Sequence, residues 1–136
     1  MTDTIPETVD SDKGDPLLRM RVYRLACELV RESWDDADIL TNYRPMEKVS
    51  AQLYAAVGSI VANLSEGYGH SSGKNRARFF EYALGSTRES AAWFRTAQPV
   101  LGLKIVTTRL EKLGEIRRML TAIIPRERNH SNRSKP

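Results

Sequence analysis

A chain of 136 residues with 40% apolar and 28% charged side chains has room for one domain with a sizeable core. Its best apolar run, Ala55 to Leu64, is interrupted by Ser59 and Asn63 and is too short to span a membrane, and no secretory signal opens the sequence. Its single cysteine, Cys27, makes no internal disulfide, so the chain reads as a cytoplasmic protein. The net charge of +4 is unevenly spread: residues 1–16 hold five carboxylates against Lys13, or −4, leaving +8 on residues 17–136. A positive body favours a polyanion such as nucleic acid.

Residues 1–15 mix Pro, Thr, Asp and Gly without apolar periodicity, which predicts a disordered acidic leader. Asp15-Pro16 is a helix start, an N-cap followed by proline. Leu18, Val22, Leu25 and Leu29 then recur at helical spacing, so a first helix is expected to about Trp34. The polar stretch from Asp35 to Arg44 reads as a connection, and Pro45 suits the next helix start. Val49, Leu53, Val57, Ile60 and Leu64 form the core stripe of the second helix. A parallel line of Ala51, Ala55, Gly58 and Ala62 carries only small residues, which suits a close helix crossing or a subunit contact. Ser59, Asn63 and Glu66 make a polar line beside it.

Gly67 is the expected C-cap of helix two, and Ser71 or Ser72 can cap helix three, expected to run to Gln98 before Pro99. Its buried stripe is Phe80, Ala83, Leu84, Thr87, Ala91 and Phe94. Thr108 with Glu111 reads as a capping box for helix four, with Leu110, Leu113, Ile116, Leu120 and Ile123 inside until Pro125. Residues 125–136 read as a basic, disordered tail. Four amphipathic helices over 16–124 on short connections imply an all-α, antiparallel up-down four-helix bundle.

The second turn, with Gly67, Gly69 and Gly73, opens onto Lys74, Arg76 and Arg78. Cations oppose the partial positive charge of a helix N-terminus, whereas a phosphate placed there satisfies both. Lys74, Arg78, Arg88 and Arg95 lie along one helical line, interrupted by Glu81 and able to follow several phosphates over a helix of roughly 37 Å; the competing reading is a solvated charged face. Catalytic patterns fail. His70 and His130 sit in no Glu-x-x-His motif, Cys27 has no partner for zinc, and Ser71-x-x-Lys74 lacks its companion triplets. No enzymatic activity, metal or other cofactor is expected.

The segments RVYRLACELV and QLYAAVGSIVANLSEGYGHSSGKNRARFFEYALGSTRES resemble the four-helix bundle proteins encoded in intervening sequences of bacterial 23S ribosomal RNA genes. That superfamily also holds the accessory variability determinant of diversity-generating retroelements, which assists a reverse transcriptase. The signature comprises Ser59, Ala62, Asn63, Glu66, Gly67, Tyr68, Gly69, Ser72, Lys74, Arg78, Phe79, Ala83, Leu84, Gly85, Ser86 and Glu89. The resemblance implies a ring-shaped homopentamer with a basic surface that associates with RNA, DNA or a nucleoprotein complex. The chain departs from the family where arginines are usual, with His70 and Ser71, and where Glu and a large apolar residue are usual, with Asn75 and Arg76. It also has Thr87 and Ser90 at positions usually apolar. Two functions follow: a nucleic-acid-binding accessory factor using Lys74, Arg76, Arg78, Arg88 and Arg95, or a protein-interaction scaffold with no direct nucleic-acid binding.

Overall fold

A computed structural model describes residues 14–133; the acidic leader up to Lys13 and the last three residues of the expected tail lie outside them. Four long helices carry the fold: α1 (Arg21–Leu40), α2 (Glu47–Gly69), α3 (Gly73–Thr96) and, after the four-residue α4 (Gln98–Leu101), α5 (Leu103–Arg133). α2 packs between α1 and α3, α3 packs on α5, and α5 closes back on α1. Cross-contacts fix the directions. Gly67 near the end of α2 meets Phe80 near the start of α3, Arg76 of α3 pairs with Glu127 late in α5, and Asp36 late in α1 pairs with Arg109 early in α5. These neighbours run antiparallel, giving the all-α bundle expected from the four amphipathic patterns.

The core is built from Leu29, Leu40, Leu53, Val57, Ile60, Leu64, Phe80, Phe94, Leu113, Ile116 and Leu120, all essentially without solvent contact. At roughly 1.5–3 kcal/mol for each large apolar side chain removed from water, these residues dominate the favourable side of folding.

Several element ends differ from the sequence reading, each for a local reason. Asp15 does act as a cap, its Oδ1 accepting from the Leu17 amide at 3.0 Å. It caps a 3-10 turn, Pro16–Arg19, and Met20 is extended (φ −70°, ψ 117°) before α1 begins. That break shifts the helical phase, so Leu17 is buried and Leu18 is 42% exposed. α1 runs past Trp34 to Leu40. The apolar period continues through Ala37 and Leu40, and its polar members are satisfied inside: Ser33 donates to the Leu29 carbonyl at 2.7 Å and Asp36 meets Arg109. Pro45 sits in a 3-10 turn, Arg44–Met46, that leads into α2.

Gly67 is no C-cap. It lies inside α2, which ends two residues later at Gly69. Ser72 caps α3, its Oγ accepting from the Asn75 amide at 3.2 Å. Pro99 belongs to the first turn of α4, where its missing N–H costs nothing. The break before the last helix is Gly102, whose φ of +86° favours glycine. The expected capping box fails because Thr108 is already inside α5, its hydroxyl donating to the Lys104 carbonyl. Pro125 does not end the last helix either. α5 continues through it to Arg133, so the segment expected as an unstructured tail from 125 is helical as far as it is described.

Candidate nucleic-acid interface

The α2–α3 hairpin carries the signature residues, and several of them hold it together. Ser59 Oγ and Ser86 Oγ lie 2.9 Å apart across the two helices, and Asn63 Nδ2 donates back to the Ser59 carbonyl at 2.9 Å and to its Oγ at 3.1 Å. Gly67 is buried against Phe80; a Cβ built there would stand 2.8 Å from Phe80 Cε1. Glu89 accepts from Trp93 Nε1 one turn along α3 at 3.2 Å. Thr87 and Ser90 face the protomer's own core, their hydroxyls returned to the Ala83 and Ser86 carbonyls. Gly69 and Gly85 are exposed, and a Cβ at either would meet nothing within 4 Å.

Cations and aromatic rings cluster at the tip of that hairpin. The His70 ring stacks on Phe79 with centroids 4.8 Å apart and planes 11° from parallel, and Tyr82 stands perpendicular to Phe79 at 5.5 Å. The Arg78 guanidinium lies 5.3 Å from the Phe79 centroid, and that of Arg76 lies 5.2 Å from Tyr68. Glu66 Oε1 is 3.5 Å from His70 Nε2, too far for a good hydrogen bond, and this nitrogen is buried without a hydrogen-bond partner among the described residues.

The five cations singled out by spacing do not form one unit. Lys74 and Arg78 are exposed on the first turns of α3. Arg76 turns away from them toward α5, with its Nε 3.2 Å from Glu127 Oε2. Arg88 and Arg95 face α5 from the second half of α3, where Arg117 joins them. These three arginines, with Thr87, Ala91, Leu110, Leu113 and Gly114, line a groove of about 490 Å³ in which the described residues place no carboxylate. None of the three forms an ion pair among the described residues. Arg117 was missed in the sequence because only the α3–α5 packing reveals its neighbours; its position beside core residue Ile116 was the available signal.

Other cations are already neutralised. Arg109 forks onto Asp36, Nε to Oδ2 at 2.7 Å and Nη2 to Oδ1 at 3.1 Å, and Lys112 donates to Glu32 at 2.9 Å and Glu28 at 3.3 Å. Arg21 pairs with Glu115 and Arg128 with Glu81. Burial alone would lower the Arg109 pKa, but the hydrogen bond and charge of Asp36, with Glu32 and Asp35 behind it, raise it overall, and the guanidinium stays charged. Burial pushes the Cys27 thiol up, against the opposing pull of Tyr23 and Arg31, which keeps it protonated and a poor nucleophile. Among the described residues, no group of three or more His, Cys, Asp or Glu could hold a metal ion, and no helix is long and apolar enough to cross a membrane.

Among the described residues, no helix lies against the small-residue line of α2. Ala51, Ala55 and Ala62 are exposed, and a Cβ at Gly58 would meet nothing within 4 Å. Ala51 and Ala55 share a shallow, mostly apolar groove of about 400 Å³ with Trp34, Ala37, Asp38, Thr41, Ser50 and Tyr54; Trp34 is 45% exposed.

The comparisons agree with this architecture. A crystal structure of a protein of unknown function from the S23 ribosomal protein family of Bacteroides thetaiotaomicron VPI-5482 superposes with a TM-score of 0.71 at 20% identity, covering 76% of this chain and 97% of that one. At that identity the likeness speaks for the fold. No curated protein matches the chain. Residues 19–122 match the family described as 23S rRNA-intervening sequence protein, a span that takes in α1, α2, α3, α4 and most of α5. The chain belongs to the 23S rRNA-intervening sequence protein family.

Proposed function

We propose that this protein is a non-enzymatic accessory factor of the cytoplasm that binds RNA, or another nucleic acid, through the cationic surface of α3 and α5. One observation carries the reading: Arg88, Arg95 and Arg117 converge from two helices on a groove that has no carboxylate among the described residues lining it. Like charges are not brought together in a folded bundle to stabilise it. An arginine cluster open to solvent recognises phosphate well, through its planar fork of donors. Lys74 and Arg78 extend the cationic surface toward the hairpin tip, whereas Arg76, held by Glu127, contributes less. The arginines face a groove and not a row of pockets, so the reading is of phosphate contacts with little sequence preference.

Fluorescence anisotropy with labelled RNA between about 50 and 300 mM salt tests this. Three phosphate contacts give a slope of about −2.1 to −2.7 in log affinity against log salt, a loss of roughly 40- to 130-fold over that range. Arg88→Ala, Arg95→Ala or Arg117→Ala should each weaken binding and reduce the slope by about one. Weak, salt-independent binding at the lowest salt would sink the nucleic-acid reading.

The open face of α2 favours a second reading, a protein-interaction scaffold. Trp34, Tyr54 and the small residues Ala51, Ala55 and Gly58 offer an apolar surface to another subunit, in keeping with the homopentamer that the family resemblance implies. A partner protein such as a reverse transcriptase would then dock on the assembled ring. The two readings are compatible, since the arginine groove lies between α3 and α5, away from this face.

A further inference from the structure

Resting on the reading of a nucleic-acid-binding surface, we infer that the hairpin tip is a stacking platform for unpaired bases, with Tyr82 as its open ring, so that the ligand is single-stranded and not duplex RNA. Lys74, Arg78 and Tyr82 follow one another at i, i+4 and i+8 on the exposed face of α3, two cations and then an aromatic on adjacent turns. Tyr82 is 51% exposed, so much of its ring is open to a ligand. It is nonetheless held. Its ring stands at 90° to Phe79, and Phe79 is fixed in turn by the stacked His70 and the Arg78 guanidinium. An aromatic side chain oriented in advance, with part of its surface left in water, binds a flat partner at low entropic cost. The cations beside it remain available: the carboxylate nearest in sequence, Glu81, is engaged by Arg128 of α5, and Arg78 forms no ion pair among the described residues.

This combination selects among polyanions. Phosphates of any nucleic acid satisfy Lys74, Arg78 and the arginine groove, but the face of a base reaches Tyr82 only where it is unpaired and unstacked. Base–aromatic stacking tolerates any sequence. His70 stacked on Phe79 adds a further flat ring at the tip.

The test uses the full chain, an unstructured 12-nucleotide RNA and a blunt RNA duplex of the same length, both labelled, with the single strand also carrying 2-aminopurine. Tyr82→Ala is expected to weaken single-strand binding about tenfold, to leave duplex binding and the salt slope unchanged, and to abolish the quenching of 2-aminopurine. Tyr82→Phe keeps the ring and should behave as wild type. Equal loss on both RNAs, no loss on either, or a drop in the assembled mass of Tyr82→Ala by light scattering would each overturn the platform, the last by assigning Tyr82 to a subunit contact. If Arg88→Ala and Arg117→Ala weaken both RNAs while Tyr82→Ala changes neither, the platform falls and the polyanion surface stands. If the wild-type protein binds neither RNA at about 50 mM salt, both readings fall together.

Discussion

A methyl group at position 67 has no space to occupy. It would lie 2.8 and 2.9 Å from two carbons of the Phe80 ring and 3.0 Å from Phe79 Cβ, and Phe80 is fully buried in the core. Alanine gains up to about 1 kcal/mol over glycine in a helix interior, but overpacking a rigid aromatic contact costs about 1–3 kcal/mol. Gly67→Ala should therefore destabilise the bundle by about 1–2 kcal/mol, seen as a lower urea midpoint. Gly58→Ala, also within α2, meets nothing and should stabilise the monomer by about 0.5–1 kcal/mol. A result in which both substitutions shift the midpoint the same way would refute the close approach. At this scale the sequence was partly legible. Gly67 stood out, but as a helix terminator, because a glycine demanded by a neighbour's bulk looks the same in one dimension as a glycine demanded by a backbone angle. Asp36 misled in the same way. It reads as a loop residue until Arg109, 73 positions away, supplies the partner that allows its burial to 2% exposure.

Elements were legible where apolar period alone sets them and illegible where a distant contact decides. The core stripes of α2 and of the middle of α5 follow directly from spacing, and Leu53, Val57, Ile60, Leu64, Leu113, Ile116 and Leu120 are all buried. The end of α5 does not follow. Pro125 lacks the N–H that would reach the Thr121 carbonyl, a loss that normally stops or kinks a helix. Here Ile124 is buried, Glu127 pairs with Arg76 and Arg128 with Glu81, so contacts with α3 carry the helix past the defect. Position 125 is itself exposed, and water can take up the freed carbonyl. Pro125→Ala restores the missing bond without disturbing packing and should stabilise the protein by about 1–3 kcal/mol. Thermal unfolding reads this directly, and amide exchange should slow for the residues after 125. Unchanged stability and exchange would mean that α5 does not run through this proline. The candidate site shares the pattern: Arg88 and Arg95 were visible as a helical line, while Arg117 joined them only through helix packing.

The whole molecule brings two surfaces into one arrangement, an arginine groove between α3 and α5 and an apolar face on α1 and α2. A single groove with three arginines gives modest affinity at physiological salt, since each phosphate contact is weakened by the counterions it must displace. Assembly changes this. If the Trp34–Ala55 face joins protomers into the ring that the family resemblance implies, one RNA can meet several grooves, and each further contact becomes intramolecular. Light scattering should then give about five times the 15.4 kDa protomer mass, and Ala55→Glu, which adds a second carboxylate to a face that already holds Asp38, should return the mass to one protomer. Ala55 is exposed in the protomer, so the helix itself tolerates the change, and an unaltered circular dichroism spectrum would show that only assembly is lost. The monomeric variant should still bind a short RNA as the wild type does, because its arginines are untouched, while its affinity for a long RNA falls about a hundredfold or more. A wild-type mass of one protomer would eliminate the ring, and equal affinities of ring and monomer for long RNA would mean that the grooves do not act together.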